Sequence, residues 1–153
     1  MAFTSRRFQM TLQVILGIII VGLAYLLYDS IVTPFQEVER QREVTEVTRA
    51  QMDRVRQALI LYERANNRYV TTLDSLVTWM QEDSTMAAGV DSIFGQGFDV
   101  TTLPFSPRTG NRFQLAINDT SQTRMYLLSD PDSRDYIGSL EPDITRLNAA
   151  SWE

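Results

Sequence analysis

The longest run of apolar positions is FQMTLQVILGIIIVGLAYLLY, Phe8 to Tyr28, and it carries no charged residue. At about 1.5 Å per residue such a helix reaches roughly 31 Å, the thickness of a hydrocarbon core. A cleaved secretory signal is the rival reading, but its apolar region is usually shorter, about 7–15 residues, and ends in a small-x-small site. Asp29-Ser30-Ile31-Val32-Thr33-Pro34 follows the run instead, so the pattern predicts a retained transmembrane helix. Arg6 and Arg7 precede the span, and Asp29, Glu37 and Glu39 follow it. The positive-inside bias then predicts a cytoplasmic segment over 1–7, a membrane helix over 8–28, and the remainder outside the cytoplasm.

Beyond the span, Pro34 predicts a break or kink. Residues 29–50 form a stem rich in Glu, Arg, Gln and Thr. Apolar positions recur at Val44, Val47, Met52, Val55, Leu59 and Tyr62, which predicts one helical face. From Gln51 onward Ala58, Ile60 and Leu61 widen that face, so this part should lie against a folded body. Asn66-Asn67 predicts the stop, because asparagine tolerates the left-handed conformation of a helix terminus. Thr71 with Asp74 resembles a capping box. Leu73, Leu76, Val77 and Met80 then predict a short amphipathic helix.

Glycines 89, 95 and 97 and Pro104 punctuate the next stretch, which reads as a loop with one turn of helix, plugged by Ile93, Phe94, Phe98 and Leu103. SPRTGNR, Ser106 to Arg112, is a turn. Phe113, Leu115 and Ile117 alternate as in a half-buried strand, and RMYLLS pairs with it across DTSQT. A short third strand is expected near Tyr136 to Leu140, and a final helical turn with Trp152 docked on the core. The class is therefore α+β: a transmembrane helix continuing into a long amphipathic stem, packed on a small antiparallel hairpin or three-stranded sheet, with the globular part over 51–153.

Composition narrows the chemistry. The net charge is -5 over 153 residues, and no basic stripe suits nucleic acid. Histidine and cysteine are absent and every basic residue is arginine. The commonest general base, the thiolate and the lysine nucleophile are thus missing, and an enzyme is not expected. Asp130, Asp132 and Asp135 share one turn, with Glu141 and Asp143 soon after. Hard oxygen ligands in a loop suit calcium; the same residues also suit plain turn chemistry.

This layout resembles the type IV pilin-like proteins, most closely the major pseudopilins of type II secretion. MTLQVILGIII is similar to that family's apolar start. Ala58, Leu59, Tyr62, Asn66, Asn67, Tyr69, Val70 and Thr71 stand where the family has Ala-Leu-x-x-Tyr followed by Asn-Gly-x-Tyr-Pro-Thr. SPRTGNRFQLAI looks like the turn before its first strand, and LLSDPDSRDYIGSLEPDI like the stretch carrying its calcium loop. The resemblance implies Asp132 and Asp143, then Asp135, as calcium ligands. It also implies a structural subunit of the bacterial inner membrane with a periplasmic head. Its partners would be the membrane, other copies or related subunits through the helix, and other envelope proteins. Two positions depart from the family pattern: Arg6-Arg7 rather than Gly precedes Phe8, and no acid occurs between Phe8 and Tyr28. They point to an alternative, an uncleaved anchored accessory subunit that does not polymerise.

Overall fold

The structure, a computed structural model, describes the backbone of residues 4–120 and 123–153, and their side chains except at 4–7, 33, 34 and 144. The expected cytoplasmic segment therefore lies outside the described residues over 1–3 and outside the described side chains at Arg6-Arg7. The chain divides into two compact units, one ending at Glu43 and one beginning at Val44. Its class is α+β, a long N-terminal helix with a small three-stranded antiparallel sheet.

Helix α1 runs Thr4–Asn66. The break expected at Pro34 does not occur, because the backbone stays helical across it. A proline deletes one hydrogen bond, and the Gln-, Glu- and Arg-rich turns after it are good helix formers that carry the helix on. In the first unit the large apolar residues from Phe8 to Ile31 are exposed, from Ile15 at 49% to Val21 at 70%. This helix is long and apolar enough to cross a membrane.

In the second unit α1 buries Thr48, Gln51, Met52, Val55, Ala58 and Leu59. Val47, expected on this face, is half exposed, and the buried row runs through Thr48 instead. Burying that hydroxyl is tolerable because it donates to the Val44 carbonyl at 2.7 Å. Gln51 is similarly satisfied by donating to the Thr102 carbonyl at 3.1 Å. The helix stops as expected: Asn67 takes φ 53° and its N–H donates to the Glu63 carbonyl at 2.7 Å.

Helix α2, Leu73–Glu82, is capped by Thr72 and not by Thr71. The Thr72 hydroxyl accepts from the Ser75 N–H at 3.2 Å, and Asp74 is left free to meet Arg112 at 2.5 Å. Leu73, Leu76 and Met80 are its buried stripe. Helix α3, Ser84–Phe94, occupies much of the stretch expected to be loop. Asp83 ends α2 and its carboxylate caps α3, accepting from Thr85 and Met86 N–H at 3.0 and 2.9 Å. Met86, Val90 and Phe94 repeat every fourth residue and are buried, whereas Ile93, expected as a plug, is exposed.

Strands β1 (Gln114–Asn118), β2 (Met125–Ser129) and β3 (Tyr136–Gly138) form the antiparallel sheet in that order. Of the β1–β2 connection, Ser121 and Gln122 lie outside the described residues. Leu115 faces Leu128, which also faces Ile137, and Ile117 faces Tyr126. Tyr126, Leu128 and Ile137 are fully buried in one cluster with Met52, Val55, Leu59, Leu76 and Met80. Each such aliphatic side chain stabilises the head by about 1.5–3 kcal/mol relative to exposure. Ala150 bridges to Ile137, and Trp152 packs on the core edge.

Candidate functional site

The turn after β2 and the turn before β1 meet over α1. In the first, the Asp130 N–H donates to the Asp135 carbonyl at 3.0 Å, which closes the loop. In the second, the Ser106 N–H donates to the Asn111 carbonyl at 2.7 Å, and Gly110 supplies the positive φ of 77°. Donors from one turn thereby meet acceptors from the other.

Each aspartate of the first turn already has a counterpart. Asp132 accepts from the Thr109 hydroxyl and from the Asn111 amide at 3.0 and 3.1 Å. Asp135 accepts a two-pronged contact from Arg49, 2.9 Å from Nε and 3.0 Å from Nη2. The Arg49 guanidinium also lies 5.0 Å from the centre of the Trp152 ring. Its pKa is raised, chiefly by the hydrogen bond to Asp135. Asp130 is the buried member, and its side chain has no exposed surface. Arg108 Nε stands 3.6 Å from Asp130 Oδ2, and neither atom has a hydrogen-bond partner. Arg108 is held from its other end, where Nη2 donates to Thr45 Oγ1 at 3.1 Å. At that separation the contact is an ion pair without a direct hydrogen bond.

Asp143 does not join this group. It caps the 3₁₀ turn Ile144–Arg146, accepting from the Thr145 N–H at 3.0 Å and hydroxyl at 2.6 Å. The Thr145 hydroxyl holds its carboxyl below the usual carboxylate range, with the Thr145 N–H adding to the effect.

These residues do not fit calcium. The ion takes six to eight oxygen ligands, whereas Asp132 and Asp135 face amide and guanidinium N–H groups that repel a cation. Among the described residues no three acidic side chains stand close enough to hold a metal ion. Asp132 and Asp135 are thus engaged by Thr109, Asn111 and Arg49 while Asp143 caps a separate turn, so the structure does not bring the three expected ligands together. Sequence reading missed Arg49, Arg108, Thr109 and Asn111. The available signal was the cluster of donors within SPRTGNR, but its pairing with a turn some twenty residues away is a tertiary contact.

A shallow groove of about 710 Å³ lies beside β3, lined by Leu127, Tyr136, Leu140 and Ala149, with Glu141 and Arg146 also on its wall. Glu141 and Arg146 pair at 3.8 Å. Its walls offer apolar contact and hydroxyls, a surface chemistry suited to binding. No family model, curated protein or solved structure matches the chain.

Proposed function

We propose that this chain is a single-pass, membrane-anchored structural subunit of the pilin or pseudopilin type, working in a secretion or pilus-like assembly of the bacterial envelope. One observation carries the reading. A single helix presents exposed apolar side chains from Phe8 to Ile31 and ends as the central core element of an α+β head. Exposed leucine, isoleucine and valine on this scale need lipid or other apolar helices around them. The Ala58-Leu59-Tyr62-Asn66-Asn67-Tyr69 pattern, so similar to the pilin-like helix end, adds support. In this reading residues 1–7 are cytoplasmic and the head is periplasmic. The apolar helix packs against other subunits, and the head offers surface rather than catalysis.

The absence of any acid from Phe8 to Tyr28, and Arg6-Arg7 ahead of Phe8, favour a second version. There the chain stays unprocessed and serves as an anchored accessory subunit without polymerising. Intact mass of the protein purified from membranes separates the two. A mature chain beginning at Phe8 supports the processed subunit; retention of Arg6-Arg7 supports the accessory. Recovery in the soluble fraction after lysis would sink both.

A further inference from the structure

The sheet has one covered edge and one open edge. Beside β3, the Gly138 N–H donates to the Ala149 carbonyl and the Ser151 N–H to the Tyr136 carbonyl, each at 2.9 Å. The backbone of Tyr136 and Gly138 is therefore spent on the segment 149–151, which covers that side. Backbone groups along an antiparallel strand alternate between its two sides. Ile137 then bonds to Leu128, Leu127 and Ser129 turn toward β1, and Ala116 and Gln114 answer them. By the same alternation the N–H and C=O of Leu115 and Ile117 point out of the sheet. Phe113, two residues earlier, points the same way, and its N–H is taken by the Pro104 carbonyl at 2.9 Å. Beyond Pro104 that cover stops. Among the described residues, no backbone group outside the sheet bonds to Leu115 or Ile117.

Nothing in Gln114–Asn118 defends this edge, since no charge, proline or glycine interrupts it. A notch of about 240 Å³ adjoins it, walled by Leu73, Pro104, Phe113 and Leu115. Arg112 and Asp74 also line the notch, but they pair with each other, so its remaining surface asks for an apolar group. A strand that exchanges hydrogen bonds with Leu115 and Ile117 carries the residues opposite them on the same inner face. Its alternate side chains therefore enter the notch and the half-buried margin beside Ile117.

We propose that the β1 edge binds an extended segment of another protein as an added antiparallel strand, apolar at alternate residues, with one of them seated in the notch. The free backbone groups select the strand form, and the notch selects the side chain. A second β1 fits less well. With Leu115 opposite Ile117 of the copy, that copy's Asp119 would need the place beside Phe113 that Pro104 fills. A segment that ends or turns at this point avoids the clash. The edge belongs to the head and does not depend on the anchored reading.

A synthetic heptapeptide alternating threonine and valine, added to the full chain in detergent micelles, tests this by amide exchange followed residue by residue. Before addition, the Leu115 and Ile117 amides should exchange many-fold faster than those of Gln114 and Ala116, which face β2. The peptide should slow both several-fold. N-methylation of its valines, whose N–H groups would face β1, should abolish that protection, whereas N-methylation of its threonines should leave it. Equal exchange at all four amides, no protection by the peptide, or protection that survives valine methylation would overturn the proposal. So would protection of Leu115 and Ile117 that grows with protein concentration in the absence of peptide, which would assign the edge to a second copy.

Discussion

Replacing Arg108 by glutamine removes the only cation paired with Asp130 among the described residues. The Asp130 side chain has no exposed surface, so its charge cannot turn to water. Removing one partner of a buried pair costs about 3–5 kcal/mol. Arg108 keeps 24% of its side-chain surface exposed and sits 3.6 Å away, so water already screens part of the interaction. That places the cost at or just below the bottom of this range, about 2–3 kcal/mol. For a domain of this size the melting point should fall by roughly 10 °C. Both tryptophans, Trp79 and Trp152, belong to the head, so tryptophan fluorescence in detergent micelles follows head unfolding separately from the membrane helix. Adding Asp130→Asn should restore most of the loss, since a neutral amide no longer needs the cation. An Arg108→Gln protein that melts with the wild type, or a double variant as unstable as the single, would refute the reasoning.

Three further outcomes follow from the same structure. The wild-type melting point should not move with calcium or with a chelator, because Asp132 and Asp135 are held by Thr109, Asn111 and Arg49 and Asp130 is paired with Arg108; a saturable calcium shift abolished by Asp132→Asn would contradict this. Gly138→Ala should destabilise the head by about 2–4 kcal/mol in urea unfolding, since φ is 86° and the new Cβ would meet the Tyr126 carbonyl oxygen across the sheet. Asp53 has its pKa raised, first by burial, so its ionised form burdens the folded state. Asp53→Asn should therefore raise the melting point near neutral pH. The advantage should shrink as pH falls through the raised pKa toward the ordinary 3.8, where wild-type Asp53 takes up its proton in the folded chain. A gap that widens on acidification would reverse the assignment.

What the sequence discloses here is largely what is local. The stop at Asn67 depends on one residue's tolerance of positive φ, and the Leu73–Leu76–Met80 stripe on helical spacing alone. The β1–β2 hairpin is equally local, with its alternating residues and short connection. Helix α3 was obscured by Gly89, which reads as punctuation, and by Asp83, which serves two helices at once. The cap stands at Thr72 rather than Thr71, and Asp74 meets Arg112, a residue 38 positions away that local spacing does not reveal. The partners of the acidic turn are hidden for a related reason. Carboxylates spaced in one loop look the same to sequence whether a cation or an arginine from α1 awaits them, and Arg49 lies 86 residues from Asp135.

Photocrosslinking within the Phe8–Tyr28 span tests the anchored, self-packing subunit most directly. With crosslinkers at both Ile19 and Leu23, each exposed on α1, native membranes should yield a ladder of multimers. Discrete pairs would assign the chain to the non-polymerising accessory form. A chain that remains monomeric would contradict the subunit reading altogether.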